Sequence, residues 1–320
     1  MNFWKSHKNA ILILSALAFV LYANTISHEF VLDDKIVITE NQFTKQGFSG
    51  IGDIFSHDSM TGFFGKDKNL VAGGRYRPLS MAVHAIEWEI FGENPTMYHF
   101  INVLCYLLTG VLLFYVLLIF FPASSTVSAG IAFVSTTIFI AHPLHTEVVA
   151  NIKSRDELMS ILLAIAAFAG VLKWLQEKKS IWLVVSSVLF LLSLLSKESS
   201  VVFVGLVPLA IYTLMPKRSI KDAVMAALPF LLMTVVYLAI RFAVIGSAKT
   251  EIAKELMNNP FLNASSSEQY ATIFLTLVYY LKLTFLPHPL THDYYPTQIP
   301  IVEWDNGLVI VSVLAQSSRS

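Results

Sequence analysis

Long apolar stretches with few charges recur along most of this 320-residue chain. A helix needs about 17–25 mainly apolar residues to cross the hydrocarbon core of a bilayer. Eight stretches are of about this length, and they are apolar all round, as lipid-facing helices must be. A ninth, beginning near Leu308, is too short to span, so we expect the chain to be part of a longer protein. The eight predicted spans lie at 9–27, 98–121, 127–142, 157–174, 180–196, 199–215, 222–245 and 269–287.

The composition favours a membrane protein and excludes several other classes. Only 14% of the residues are charged, and 22 basic residues balance 22 acidic ones. A neutral chain lacks the basic face that a nucleic-acid partner requires. The single cysteine, Cys105, excludes an internal disulfide framework and a zinc site of the CxxC type. We therefore predict an all-α polytopic membrane protein surrounded by lipid, with no nucleic-acid partner.

Basic residues predict the orientation of the spans. Lys5 and Lys8 precede the first span, and basic residues mark the cytoplasmic side. Alternation then places the long loop 28–95 outside, and this loop contains ten acidic and six basic residues. Leu79–Phe91 within this loop is amphipathic, as expected of a helix at the membrane surface. The polar clusters lie at the outer ends of spans, so we expect the active face to be non-cytoplasmic.

Two adjacent carboxylates, Asp33 and Asp34, follow the first span. Their mutual repulsion raises one pKa, and a raised pKa suits a general base that deprotonates a hydroxyl. The alternative is a solvated acidic turn or a cap for the segment 35–40. Spacing alone leaves both interpretations open.

Basic residues near the outer face are candidates for binding an anion. Arg75 and Arg77 precede the amphipathic stretch, and Arg155 opens a later span. Arginine binds phosphate through its bidentate fork, whereas the alternative role is contact with lipid headgroups. Lys197 and Glu198 form a turn between two apolar runs, where charge is costly unless it is paired or functional.

A further polar cluster contains His142, His145 and Glu147. Two histidines three positions apart and a glutamate have metal-ligand chemistry. Pro143 argues against a regular helix through both histidines, and interfacial histidines often only bind their neighbours. A divalent metal therefore stays an open alternative, and we expect none to be needed.

Taken in order, these clusters resemble a known family. The resemblance is carried by Phe30-Val31-Leu32-Asp33-Asp34, Tyr76-Arg77-Pro78-Leu79, His142-Pro143-Leu144-His145-Thr146-Glu147, Ser154-Arg155-Asp156-Glu157 and Leu195-Ser196-Lys197-Glu198. The chain is similar to the membrane portion of the transmembrane O-mannosyltransferases that carry tetratricopeptide repeats, including bacterial relatives. More broadly, it resembles the GT-C glycosyltransferases, which use lipid-linked sugars.

The resemblance implies a fold and a reaction. It implies that residues 1–320 form a GT-C-like transmembrane helix bundle, with a long first outer loop, an interfacial helix and C-terminal repeats that are missing here. The enzyme would transfer a sugar from a polyprenyl-phosphate donor to a hydroxyl acceptor, expected to be a protein Ser or Thr, with inversion. No separate cofactor is implied. Asp33 or Asp34 would be the base, and Arg77, Arg155 and Lys197 would hold the phosphate. The remaining cavity-lining candidates are Arg75, His142, His145, Glu147, Asp156 and Glu198.

Two other functions stay open. A transporter or flippase of a lipid-linked substrate would place charges near the bilayer midplane and often shows internal repeats. A membrane scaffold would give no reason for carboxylates and cations to converge. The short loops favour a bacterial cytoplasmic membrane, with the endoplasmic reticulum as the location in a eukaryote.

Overall fold

The fold is known from a computed structural model, which describes residues 3–65, 74–121, 126–246, 259–291, 294 and 298–317. Every regular element in these ranges is helical. The chain divides into unit 1, Met1–Lys68 with Arg75–Ser247, and unit 2, Asn69–Gly74 with Ala248–Ser320. The helices of unit 1 are α1 (Phe3–Ser6), α2 (Lys8–Tyr22), α3 (Gln42–Lys45), α4 (Ile51–Ser56), α5 (Thr61–Phe64), α6 (Pro78–Phe91), α7 (Pro95–Phe120), α8 (Thr126–Ala141), α9 (Thr146–Ala150), α10 (Arg155–Glu177), α11 (Ile181–Ser196), α12 (Phe203–Leu214) and α13 (Ile220–Ile245). Unit 2 contains α14 (Ser266–Phe285) and α15 (Gly307–Ser317).

Four helical segments within the described ranges are long and apolar enough to span a membrane. They are Lys8–Ser27, Pro95–Phe120, Ile152–Glu177 and Ile220–Ile245. The segments Val127–Ala141 and Pro143–Ala150 make a fifth if they count as one span bent by 48°. The bend falls at Pro143, where the sequence predicted a break. The chain is therefore a multi-pass, all-α membrane protein.

The other predicted spans form helices that are shorter or more polar. At 1.5 Å per residue, the 16-residue α11 is about 24 Å long, less than the roughly 30 Å hydrocarbon core. The 12-residue α12 is shorter still. The 20-residue α14 begins with polar residues and carries Lys282 near its end. Within the described ranges, four or five of the eight predicted stretches thus form helical segments that reach the length of a span, and the total of eight stays a prediction.

The core of unit 1 is built around the antiparallel pair α10 and α11. Ser186 and Ser193 on α11 donate hydrogen bonds to the carbonyl oxygens of Ala167 and Ser160 on α10, at 2.8 and 2.7 Å. At Gly170 the helices approach so closely that an added Cβ would lie 3.3 Å from the Ser186 Cβ. This pair places the start of α10 beside the end of α11, where the charged residues lie.

The first outer loop is itself folded. Asn41 caps α3 by accepting hydrogen bonds from the backbone N–H groups of Phe43 and Thr44, and it donates to the Ile36 carbonyl oxygen. The short helices of the loop pack against α6, which begins with Pro78 at its first turn. The predicted amphipathic helix therefore exists, and its inner face holds the outer loop in place.

Unit 2 is a smaller helical unit. Ser265 and Glu268 form a reciprocal capping box at the start of α14. Thr272 on α14 accepts a hydrogen bond of 3.0 Å from the Val302 backbone N–H, ahead of the 11-residue α15. These contacts explain how α14 is started and how the segment before α15 is attached to it.

Candidate functional site

Arg77 is the centre of a charged cluster at one end of unit 1. It immediately precedes α6, and its Nε and Nη2 donate to the two carboxylate oxygens of Glu198 at 3.0 and 2.7 Å. Its Nη1 donates to Asp156 Oδ2 at 2.8 Å. This paired fork is the geometry with which arginine binds any planar or tetrahedral oxyanion. The structure thus brings together three residues that the sequence predicted for one cavity.

Lys197 joins the same cluster from the end of α11. Its Nζ donates to Glu157 Oε1 and lies 3.8 Å from Asp156 Oδ1. Asp156 therefore lies between two cations, Arg77 and Lys197. The turn that contains Lys197 and Glu198 is more than a tight hairpin, because its two charged side chains bind partners on both α10 and the segment before α6.

These contacts favour the ionised forms of Arg77 and Glu198. Burial by itself would lower the pKa of Arg77, but hydrogen bonds and charge from Glu198 and Asp156 raise it above its ordinary value. Burial would likewise raise the pKa of Glu198, but Arg77 lowers it below the ordinary value of 4.5. The pair stays charged over the physiological range.

A cleft opens beside this cluster. Its lining includes Arg75, Arg77, Ser80, His84, Lys153 and Asp156. Arg77 is paired with carboxylates, whereas Arg75 has no carboxylate within 4.0 Å among the residues that the structure describes. Lys153 lies 4.0 Å from Asp33. The cleft therefore carries positive charge that is only partly neutralised, and an anion is the ligand that such a surface favours.

Asp33 and Asp34 have different surroundings. The Asp34 side chain is buried, and its oxygens accept hydrogen bonds of 2.9 Å from the backbone N–H groups of Val31 and Lys153. Burial raises the pKa of Asp34, and these hydrogen bonds oppose the rise. The Asp33 side chain is 51% exposed, and its Oδ2 lies 4.0 Å from Lys153 Nζ. Asp33 is accessible beside a cleft residue, whereas Asp34 attaches the loop to the turn before α10 and does not cap residues 35–39.

Arg155 lies in a second, fully buried network. Its guanidinium donates to Asn102 Oδ1, to Glu87 Oε1 and, at 2.6 Å, to the Tyr98 carbonyl oxygen. Arg155 is 0% exposed and is not part of the cleft lining described above. Its position therefore links α6, α7 and α10 behind the cleft.

The structure places His142, His145 and Glu147 apart from the cleft lining. His145 Nδ1 is 2.8 Å from the Tyr106 hydroxyl, and the rings of the two histidines are 5.8 Å apart. Within the described ranges, no three His, Cys, Asp or Glu side chains are grouped so as to hold a metal ion. A separate pocket near the bend between α8 and α9 is lined by neighbours of this motif, including Pro143 and Thr146.

Sequence reasoning did not select Lys153 and His84 as site residues. Lys153 lies two positions before the candidate residue Arg155, but its contact with Asp33 joins segments that are distant in sequence and could not be predicted from spacing. Ser80 and His84 lie four positions apart on α6, just after Arg77, and all three line the cleft. That helical spacing was a usable signal, since residues at i and i+4 lie on one side of a helix.

Fold and site together define a multi-pass helical membrane protein with a charged cleft at the starts of α6 and α10, beside the ion-pair cluster that Lys197 joins from the end of α11. The sequence of the chain is also similar to those of several known proteins. The chain is 27% identical over 214 residues to protein O-mannosyl-transferase TMTC4 of Homo sapiens, covering 62% of this chain and 28% of that protein. It is 30% identical over 162 residues to TMTC1 of Homo sapiens, covering 50% and 17%. A protein O-mannosyl-transferase of Caenorhabditis elegans is 29% identical over 296 residues, covering 89% and 39%.

The curated homologues of this chain are thus TMTC-family protein O-mannosyl-transferases, at 25–30% identity. The chain spans less than two fifths of the length of each relative named above. No family model and no solved structure matches it. The bacterial membrane and the C-terminal repeats stay predictions.

Proposed function

We propose that this chain is the membrane portion of a glycosyltransferase that moves a mannosyl group from a polyprenyl-phosphate donor to a Ser or Thr hydroxyl of a protein. The reaction would take place on the non-cytoplasmic face. The observation that carries the proposal is the cleft beside Arg77, whose positive charge is only partly neutralised and whose lining residue Lys153 lies 4.0 Å from an accessible carboxylate, Asp33. The names of the homologues supply the sugar and the protein acceptor.

Asp33 is the proposed base. Half of its side chain is exposed, so an acceptor hydroxyl can approach it, whereas both Asp34 oxygens accept backbone hydrogen bonds. Asp34 then acts as a positioning residue that holds Asp33 beside Lys153. A base within hydrogen-bonding reach of the attacking hydroxyl is the geometric requirement for general base catalysis.

The cations of the cleft are the proposed phosphate site. Arg77 binds Glu198 through a bidentate fork, and a donor phosphate fits the same fork if Glu198 moves aside. Lys197 supports Arg77 through their shared partner Asp156. Arg155 contributes from behind the cleft by fixing α6 against α7 and α10. Fixed cations in a site that excludes water stabilise the charge that develops on a leaving phosphate.

The proposed reaction is a single displacement. The acceptor oxygen attacks the anomeric carbon, its proton passes to Asp33, and the bond between the anomeric carbon and the phosphate oxygen breaks. Its electron pair stays on the phosphate, which leaves as polyprenyl phosphate. Attack from the face opposite the leaving group inverts the anomeric centre. Protein cations carry the phosphate charge in this scheme, and no step uses a metal.

The test measures transfer by the full-length protein in membranes from labelled polyprenyl-phosphate mannose to an acceptor protein. We expect Asp33→Asn to lower kcat by about 10²–10⁴-fold, the contribution of a general base. Glu40→Gln is the matched control, because Glu40 is an exposed acid of the same loop that pairs with Lys35 at 4.0 Å. Full activity of Asp33→Asn would remove the proposed base. Absence of transfer by the wild type, with flipping of the lipid-linked sugar instead, would favour a flippase.

A further inference from the structure

His84 lines the cleft, and the reaction described above does not use it. It lies on α6 and is almost fully buried as a residue. Its ring stacks on the Tyr98 ring, with centroids 6.0 Å apart and an angle of 27° between the planes. Packing on α7 therefore fixes the orientation of the imidazole.

A carboxylate holds one nitrogen of this ring. Glu87 Oε2 lies 3.4 Å from His84 Nδ1, and Glu87 Oε1 accepts a hydrogen bond from Arg155 Nη1. Burial would raise the pKa of Glu87, but Arg155 and His84 lower it, so Glu87 is an ionised acceptor. An ionised carboxylate only accepts hydrogen bonds, so we assign the hydrogen to Nδ1. Arg155, Glu87 and His84 thus form a chain that leads from the buried core to the cleft.

The second ring nitrogen, Nε2, has no hydrogen bond within the described parts of the chain, whereas Nδ1 is held by Glu87. His84 is one of the residues that line the cleft. The cleft is therefore the space from which a ligand would approach Nε2.

We propose that His84 is a further catalytic residue, whose protonated ring donates a hydrogen bond from Nε2 to an oxygen of the donor phosphate. Glu87 and Arg155 are its positioning residues. This inference rests on the proposed function. As the bond to the anomeric carbon breaks, its electron pair adds negative charge to the phosphate, and an aligned donor stabilises that charge. No proton needs to leave the ring.

Anions on both sides of the ring accept its two N–H groups in this arrangement. The Glu87 carboxylate lies behind the ring, and the phosphate would lie in front. The charged groups that face or surround the ring are Glu87 on its own helix, Asp34 on the outer loop, Arg155 on α10, and Arg75, Arg77 and Lys153 in the cleft.

The test compares His84→Leu and His84→Gln in the full-length protein, with labelled polyprenyl-phosphate mannose as donor. His84→Leu should lower kcat/KM by about 10²–10³-fold, as the loss of one oxyanion donor does in other enzymes. His84→Gln carries an amide N–H of similar reach and should recover at least about tenfold. His57→Gln is the control, since His57 lies in the same loop, outside the lining residues, with Nδ1 3.0 Å from the Asp53 carbonyl oxygen.

A second measurement separates a phosphate contact from a structural effect. Polyprenyl phosphate, the product, should inhibit His84→Leu at least about tenfold more weakly than it inhibits the wild type. If His84→Leu has the same kcat/KM as the wild type and is inhibited equally strongly by polyprenyl phosphate, the inference is overturned and the proposed function is unaffected. Loss of activity with unchanged inhibition and no recovery in His84→Gln would assign a structural role to His84 and also overturn it. A wild-type protein that transfers no sugar would overturn both proposals.

Discussion

Asp34 Oδ1 accepts a hydrogen bond of 2.9 Å from the backbone N–H of Lys153, 119 positions later in the chain. The other oxygen of Asp34 accepts from Val31 at 2.9 Å. One buried carboxylate therefore ties the first outer loop to the turn before α10. It also places Asp33 beside the Lys153 ammonium, at the edge of the cleft.

The first prediction concerns this attachment. Asp34→Ala leaves the partly buried N–H of Val31 without its acceptor, whereas the N–H of Lys153 keeps Asn151 Oδ1 at 3.1 Å. One such unsatisfied group costs about 1–3 kcal/mol, so we expect a loss of at least about 1 kcal/mol in the free energy of unfolding, measured in detergent micelles. Asp33→Ala is the matched change at a half-exposed position and should stay within about 0.5 kcal/mol of the wild type. Equal losses in the two variants would contradict the distinction between the two carboxylates.

The second prediction concerns the buried pair of Arg155 and Glu87. Arg155→Met leaves the Glu87 carboxylate without its main partner, and breaking a buried ion pair costs about 3–5 kcal/mol. Glu87→Gln in the same chain removes the unpaired charge, so the double variant should be more stable than Arg155→Met. Thermal unfolding of the two single variants and the double variant forms a double-mutant cycle. Strictly additive losses would show that the two side chains are not coupled.

The third prediction concerns acid stability. Arg77 lowers the pKa of Glu198 in the folded state below its ordinary value of 4.5. The stabilisation from ionised Glu198 is therefore fully present above about pH 4.5, and it is lost as the pH falls through the lowered folded-state pKa. Glu198→Gln should be less stable than the wild type at neutral pH, by about 1 kcal/mol for a pair in which the Glu198 side chain is 49% exposed. The difference should shrink below pH 4.5 in acid-unfolding curves, and a gap that widens there would contradict the assignment.

The fourth prediction concerns the pair α10 and α11. Ser186 donates a hydrogen bond across the pair to Ala167, whereas its neighbour Ser187 bonds to Leu183 within its own helix. Interhelical hydrogen bonds in membrane proteins are worth about 0.6 kcal/mol on average. Ser186→Ala should therefore destabilise the protein by about that amount, and Ser187→Ala by less. Reversible unfolding in mixed micelles measures both, and the reverse order would disprove the role of Ser186.

Much of the fold could be predicted because apolar length is a local property. The spans at 98–121 and 222–245 correspond closely to α7 and α13. The predicted spans 180–196 and 199–215 correspond to the shorter helices α11 and α12, which lie on either side of Lys197. Apolar composition predicts that a segment avoids water, but it does not determine where a helix ends.

The candidate site was predicted in part for a similar reason. Arg77, Asp156 and Glu198 were expected in one cavity, and the structure joins them directly. Arg155 carries the same chemical group as Arg77, yet it lies in the core, bonded to Glu87 and Tyr98. Residue type alone does not distinguish an arginine that faces a cleft from one that holds three helices together.

The sequence by itself determined that this chain is a charge-poor, helical membrane protein with its polar residues concentrated at span ends. Those properties follow from the cost of placing polar groups in hydrocarbon, which each segment experiences on its own. Only the tertiary structure decided that Asp33 is exposed, that Asp34 is a buried attachment, and that His84 reaches the cleft. These roles depend on contacts between segments distant in sequence, because burial and hydrogen-bond partners arise only when helices pack.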